Sequence, residues 1–316
     1  MRILLTGATG FVGSHLLEGL LKDEHSVCVA KRSWSDIRRI SSFIDCCSVY
    51  NLDETAISQI FDEQQIDCVI HCATYYGRND RDCMKNVEAN LLFPLELLSI
   101  GREKGMKYFI NTDSFFGKQI EAECDLDKDL YMYGYTLSKT QFRQWGHMFA
   151  VKYGVSFINM KLEHVYGKGD DESKFIPYIL KKMRKNVPLI DLSAGMQKRD
   201  FVHISDVVNA YRTVIAHLAD GNVKVYGEYG VGTGRMWSLR EFVEIIHDAV
   251  ESTSTLNWGA IPMKKGEIMQ SRADNLTLRE LGWKPQIVEK TEIEHMFRGG
   301  VFFIVCILRR LERRCR

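Results

Sequence analysis

Over the first 165 residues, short apolar runs rich in β-branched residues alternate with longer stretches whose apolar positions recur at helical spacing. The runs at 2–5 ("RILL"), 26–30 ("SVCVA"), 68–73 ("CVIHCA"), 108–112 ("YFINT") and 156–162 ("SFINMKL") read as strands. Helical periodicity falls near 11–22, 53–64, 81–103 and 133–153. This alternation predicts βαβ units, and so an α/β fold on a doubly wound parallel sheet. Beyond residue 166 it weakens into the loop "YGKGDDESK", a helix near 174–185, the segment "RDFVHISD" and two further helical stretches. The expected division is a first unit over 1–165, a smaller α/β part over 166–298, and an atypical apolar and basic tail over 299–316. No Pro-rich or repeated linker separates them, so the second part is expected to pack on the first and leave a cleft between.

Composition narrows the partners. The chain has 316 residues, 42 Lys+Arg against 41 Asp+Glu, and a formal net charge of +1, so no basic excess exists to hold nucleic acid. Nine scattered cysteines, an odd number, read as reduced thiols of a cytoplasmic protein. The adjacent Cys46 and Cys47 lack zinc-ligand spacing, so no metal is expected. The N-terminus has too short an apolar stretch for a signal peptide. The tail's eight consecutive apolar residues fall short of the roughly 20 that span a bilayer, and no firm membrane contact is expected.

Chemistry enters with "LLTGATGFVG", where Gly7, Gly10 and Gly13 follow a strand and open a helix. Glycine allows a tight turn and close approach to phosphate, and a helix N-terminus offers oriented N–H groups. The loop, with Thr9, Phe11 and Val12 between its glycines, predicts a Rossmann-like dinucleotide site over a pyrophosphate. The second strand normally ends in an acid that holds the ribose 2′-hydroxyl of NAD. Here Lys31, Arg32 and Ser33 stand in that place, which favours NADP; Asp36, further on, leaves NAD open.

"YMYGYTLSK" supplies a proton donor. Tyr135 and Lys139, four apart on a predicted helix, share a face, where the ammonium is expected to lower the phenol's pKa. Tyr131 and Tyr133 have no lysine four residues on and read as packing or rim residues.

With these come "VIHCAT" (69–74), "EANLLFP" (88–94), "NTDSFFGK" (111–118), "LEHVYGKGD" (162–170), "RDFVHISDVVNAY" (199–211), "YGVGTG" (229–234) and "LGWKP" (281–285). In that order they resemble the extended short-chain dehydrogenase/reductase family of nucleotide-sugar epimerases, dehydratases and reductases. The resemblance implies that Tyr135 is the acid or base, that Lys139 tunes it and binds the nicotinamide ribose, and that Thr112, with Ser114 in reserve, steadies the substrate oxygen. It also implies cofactor contacts from Asn51, Leu52, Cys72, Ala73, Thr74, Asn90 and Leu162. Dehydratases of the family carry "TDE" where this chain has Thr112, Asp113 and Ser114, so dehydration is unsupported and ketone reduction or epimerisation remains.

On the substrate side the resemblance implies a nucleotide-diphosphate sugar. Arg199 would hold its nucleotide end or diphosphate, His164 the diphosphate or sugar, Lys174 and Phe175 the base, and Lys264 or Lys265 the diphosphate. Tyr75 and Tyr76 would line the sugar pocket. The stretches after residue 111 are similar to the subgroup that reduces the C4 ketone of CDP-4-keto-3,6-dideoxyhexoses with NADPH for bacterial O-antigen synthesis. The alternatives are a reductase of the same ketone that gives the opposite C4 configuration, which the sequence leaves open, an epimerase that keeps NAD bound and a non-catalytic NADP sensor. Helices near 83–103 and 133–153 are expected to pair across a two-fold axis, making a homodimer.

Overall fold

The structure is a computed structural model that describes residues 1–77, 82–117, 132–221, 225–263 and 267–298. Its centre is a seven-stranded parallel sheet of β1 (Arg2–Thr6), β2 (Ser26–Lys31), β3 (Ser48–Asn51), β4 (Cys68–His71), β5 (Tyr108–Ser114), β6 (Ser156–Leu162) and β11 (Tyr226–Val231). The order is β11-β6-β5-β4-β1-β2-β3. The expected doubly wound sheet is therefore present, with its switch point between β1 and β4, where strand order reverses and ligands characteristically bind.

Both faces of the sheet are covered, which explains the unbroken apolar runs. Ile3 and Leu5 pack with Leu16, Leu17 and Leu20 of α1 (Phe11–Lys22) and with Val207 and Val214 from the helix over Ile204–Ala219. Between them, Leu4 points to the other face, among Phe109, Leu97, Phe142 and Phe149. That second layer holds α2 (Ile57–Glu63), the split helix over 83–103 and α5 (Tyr133–Tyr153). Two strands escape the hydrophobic pattern: β3 is a four-residue edge with exposed Ser48 and Val49, and β11 ("YGEYGV") contains two glycines, which weaken a strand signal. Because β11 pairs with β6 and the 204–219 helix covers the first face, the sheet layer reaches past residue 165.

The segment expected as one helix over 81–103 is α3 (Cys83–Val87), a π-helical turn (Glu88–Leu92) and α4 (Phe93–Glu103). Pro94 has no N–H to donate to the carbonyl four residues back, and the Phe93 N–H bonds the carbonyl of Glu88 instead. The apolar run 68–73 likewise ends as a strand at His71, and Cys72–Thr74 leave the sheet at the switch point.

The remaining elements pack around a third core containing Tyr166, Phe201, Phe242, Ile246, Ile293 and Phe297. They include β7 (His164–Tyr166), α6 (Phe175–Arg184), β8 (Leu189–Leu192), β9 (Lys198–Arg199), β10 (Phe201–His203), α7 (the Ile204–Ala219 helix) and α8 (Leu239–Ala249). Cys28, Cys47, Cys68 and Cys72 carry free thiols. Among the described residues no group of three His, Cys, Asp or Glu could hold a metal ion, and no helix is long and apolar enough to cross a membrane. The tail over 299–316 lies outside the described residues.

Candidate active site

A cleft of about 1510 Å³ runs along the C-terminal ends of the sheet strands and under the third core. At one end lies the glycine loop. Gly7 sits at φ +71°, and a Cβ there would meet the backbone N of Ala73 at 2.4 Å; one on Gly13 would meet the Gly7 carbonyl at 2.1 Å. These two are packing glycines, which bring β1, α1 and the β4 exit together. Gly10 differs: it is exposed, and an added Cβ would approach only the Gly7 carbonyl, at 3.2 Å. No side chain caps α1, so its first-turn N–H groups are left for an anion above Gly10. The residues present therefore fit a pyrophosphate.

Thr9, Phe11, Val12, Lys31, Arg32, Leu52, Cys72, Ala73, Thr74 and Leu162 line the cleft as expected of cofactor contacts. Ser33, Asn51 and Asn90 do not. Ser33 gives its backbone N–H to Asp53 at 2.6 Å and shares a 2.9 Å hydrogen bond with the Asn51 amide. Asp36 is engaged by Arg38, whose Nε donates at 2.8 Å, and this holds the carboxyl down at about 2. Arg32 lies over the Trp34 ring at 5.3 Å.

Asn90 is wholly buried in the π-helical turn. Its Oδ1 accepts from the Thr74 hydroxyl and the Tyr75 N–H, both at 2.9 Å, and its Nδ2 donates to the Tyr75 carbonyl at 2.8 Å. A second donation reaches Ser138 on α5 at 3.2 Å. Asn90 thus ties the β4 exit loop to the helix that carries the tyrosine.

Tyr135 and Lys139 stand one turn apart at the start of α5, 5% and 3% exposed. Lys139 Nζ donates to the Thr112 carbonyl at 2.8 Å. Burial pushes the phenol of Tyr135 well above its ordinary value, Tyr76 and Asp113 add to the rise, and the adjoining hydroxyls of Ser114 and Thr74 oppose it. The expected lowering by Lys139 is absent from these influences, because the ammonium is turned to the strand backbone and desolvation dominates. Burial also lowers the pKa of Lys139 itself, against the pull of Asp113. At neutral pH the phenol is therefore protonated and able to donate. The Tyr76 ring stacks on it, centroids 5.3 Å apart.

The two candidate hydroxyls of β5 have different surroundings. Thr112 Oγ1 lies 2.8 Å from the Tyr211 hydroxyl and 3.1 Å from Cys72 Sγ. Ser114, one pleat further out on the same face, stands beside the phenol. Tyr211, fully buried on α7, was not singled out by its motif, because periodicity marks it only as a core position.

Tyr75, Tyr76, His164, Lys174, Phe175 and Arg199 all line the cleft; Lys264 lies outside the described residues. Tyr75 donates its hydroxyl to Asp82 at 2.6 Å. Lys174 pairs with Asp170 at 2.8 Å and lies over the rings of Phe11 and Tyr76, at 5.6 and 5.9 Å. His164 packs on Phe115, centroids 4.3 Å apart, with its buried Nδ1 3.9 Å from a Glu163 carboxylate oxygen; burial lowers the ring's pKa, against the pull of Glu163. Arg199 pairs with Glu267 at 3.2 Å, not with Asp200, which takes four donors from Thr233, Gly234 and Ala273. Glu267 and Gln197, joined at 3.1 Å, are cleft residues that the motifs did not mark.

The sequence profile of the NAD dependent epimerase/dehydratase family matches residues 3–232. The chain belongs to that family. It is 38% identical over 291 residues to CDP-abequose synthase of Salmonella muenchen, covering 92% of this chain and 94% of that protein. The corresponding synthase of Salmonella typhimurium is 36% identical over 302 residues, covering 94% of this chain and 97% of that protein. Among solved structures, UDP-glucose 4-epimerase of Thermotoga maritima with UDP-glucose superposes with a TM-score of 0.78 at 20% identity, over 94% of this chain and 97% of that one. The Thermus thermophilus UDP-glucose 4-epimerase complex with NAD gives 0.77 at 23%, over 95% and 100%. Those two likenesses carry the fold. The family expected from the motifs is thus borne out, and the protein is an enzyme of it.

Proposed function

We propose that the protein reduces the C4 ketone of CDP-4-keto-3,6-dideoxyglucose with NADPH, yielding CDP-abequose for O-antigen assembly. The likeness to CDP-abequose synthases over nearly the whole of both chains carries this reading. When bound, the dihydronicotinamide supplies hydride to the carbonyl carbon. The carbonyl π pair then collects on oxygen, where Tyr135 delivers its proton and a β5 hydroxyl donates a hydrogen bond. Lys139 adds positive charge beneath the site and holds the β5 end through the Thr112 carbonyl. Ser114 in place of the dehydratases' glutamate leaves no second acid for elimination.

Lys31 and Arg32 line the cleft and form no ion pair within 4 Å among the described residues, while Asp36 is occupied by Arg38; this supports a 2′-phosphate and so NADP. Arg199 would exchange Glu267 for the sugar nucleotide's diphosphate. Met84, Leu92, Trp145 and Val151 leave 66, 52, 44 and 75% of their surfaces exposed on α3, the π-helical turn and α5, which supports pairing of two copies there. A cytoplasmic location belongs to the same reading.

The test is incubation with NADPH and a panel of CDP-, dTDP- and UDP-4-ketosugars, with the product configuration at C4 assigned by NMR. Preferred turnover of the CDP sugar to the abequose configuration is expected. The paratose configuration, or stoichiometric NAD retained through dialysis, would overturn it in favour of the other synthase or an epimerase.

A further inference from the structure

We infer that Arg39, in the loop between β2 and β3, is a dinucleotide-binding residue whose guanidinium spans the cofactor end of the cleft and meets the pyrophosphate. This rests on the reading of the glycine loop as a dinucleotide site, and not on the ketone reduction.

The neighbour of Arg39, Ile40, is fully buried in the same apolar layer as Leu16 and Leu17 of α1, and its N–H closes a turn onto the Ile37 carbonyl at 2.9 Å. That anchor fixes the backbone and leaves the Arg39 side chain in the cleft wall. Its Nε donates to the Gly169 carbonyl at 3.0 Å and its Nη1 to the Thr9 carbonyl at 3.4 Å. Thr9 directly precedes Gly10, above which the uncapped start of α1 presents its N–H groups. Gly169 belongs to the loop that follows β7. One side chain therefore joins the glycine loop to the opposite wall. Lys174, from that same wall, lies over the ring of Phe11 at 5.6 Å, so the segment after β7 meets the opening of α1 at a second point.

The charge of Arg39 is not spent on a carboxylate. It forms no ion pair within 4 Å among the described residues, and Asp36, the nearest acid along the chain, is taken by Arg38 at 2.6 Å. Two carbonyls satisfy its hydrogen bonds without neutralising it, so the cation and the helix N–H groups favour an anion at the same place. The Thr9 bond is at the long limit of hydrogen-bond range, whereas a phosphate oxygen makes the shorter, charge-assisted kind. On binding, the guanidinium exchanges the Thr9 carbonyl for a phosphate oxygen and keeps its hold on Gly169. Lys31 and Arg32 serve the 2′-phosphate, so the two sets of cations are separable by ligand.

The test titrates wild type, Arg39→Ala and Arg39→Lys with NADPH and NADH by fluorescence, and with 2′-AMP, which has the 2′-phosphate and no pyrophosphate, by calorimetry. Arg39→Ala is expected to raise the Kd of NADPH and NADH alike by about tenfold, the scale of one hydrogen bond to a charged group. Binding of 2′-AMP and Tm stay as in wild type. Arg39→Lys keeps the charge but not the forked reach and recovers part of the loss. Alanine at both Lys31 and Arg32 gives the converse pattern, weaker NADPH and 2′-AMP with NADH unchanged. An Arg39→Ala protein that binds both dinucleotides as wild type does overturns the inference. So does a loss confined to NADPH and 2′-AMP, which makes Arg39 a 2′-phosphate ligand, or a loss of all three ligands with a lower Tm, which makes it a loop anchor. A wild type that binds neither dinucleotide refutes the reading of the glycine loop, and the inference with it.

Discussion

The glycine-loop end of the cleft is assembled from residues adjacent in sequence, whereas the tyrosine end is assembled from five separate segments. Gly7, Gly10, Gly13 and the uncapped start of α1 form the first within one strand-turn-helix unit. The second joins the β4 exit, the π-helical turn, β5, α5 and α7 through Asn90, Lys139 and Tyr211. A local site depends on backbone conformation and steric room. The dispersed one depends on buried hydrogen bonds, each left unsatisfied when a partner is removed. The two ends should therefore respond differently to substitution.

The largest effect is expected at the dispersed end. Tyr135→Phe removes the proton donor and should lower kcat by about 10²- to 10⁴-fold, with NADPH affinity, measured by fluorescence titration, unchanged. Turnover near wild type would remove Tyr135 from the chemistry. Next comes the fold beneath it. His203, whose ring caps α7 by accepting from the Ser205 N–H at 3.3 Å, is pushed by burial down to about 4. An unfolded histidine titrates near 6.5, so the unfolded chain binds the extra proton first and stability falls as pH drops from about 6.5 to 4. The total is on the order of 3 kcal/mol at about 1.4 kcal/mol per unit. Chemical denaturation across that window should show the slope, and His203→Asn, which keeps a capping acceptor, should flatten it.

Asn90→Ala leaves the Tyr75 carbonyl and N–H without their partner. It should cost about 1–3 kcal/mol, seen as a lower Tm, and should lower kcat as well, because the same amide ties the Tyr76 loop to α5. A stability loss with kcat intact would break the link drawn between the π-helical turn and the tyrosine. An effect of similar size is expected beside the glycine loop, from the cations after β2. Alanine at both Lys31 and Arg32 should weaken NADPH binding about tenfold to a hundredfold, a loss of about 1.5–3 kcal/mol for hydrogen bonds to a charged group. NADH binding should stay the same; equal weakening of both cofactors would remove the 2′-phosphate from the reading.

Legibility in the sequence follows the same division. The first five strands read from apolar runs match β1, β2, β4, β5 and β6, and the helices over 11–22 and 133–153 coincide with α1 and α5. These segments are long or bounded by turns, and burial on both faces leaves no polar positions to blur them. The edge strand β3 and the glycine-bearing β11 carry too little apolar surface to announce themselves. Asn90 belonged to a motif, yet its work is to tie a loop rather than to touch the cleft. Ser33 and Asn51 similarly answer to each other.

By itself the sequence determined the doubly wound class, the glycine loop, the cation pair after β2 and the one-turn spacing of Tyr135 and Lys139, because each depends on residues close together along the chain. Tertiary structure alone decided where the ammonium of Lys139 is spent, which carboxylate faces Arg199, and which buried partners the Thr112 hydroxyl meets. Those outcomes turn on contacts such as that between Thr112 and Tyr211, 99 positions apart, and on burial that only the packed chain creates.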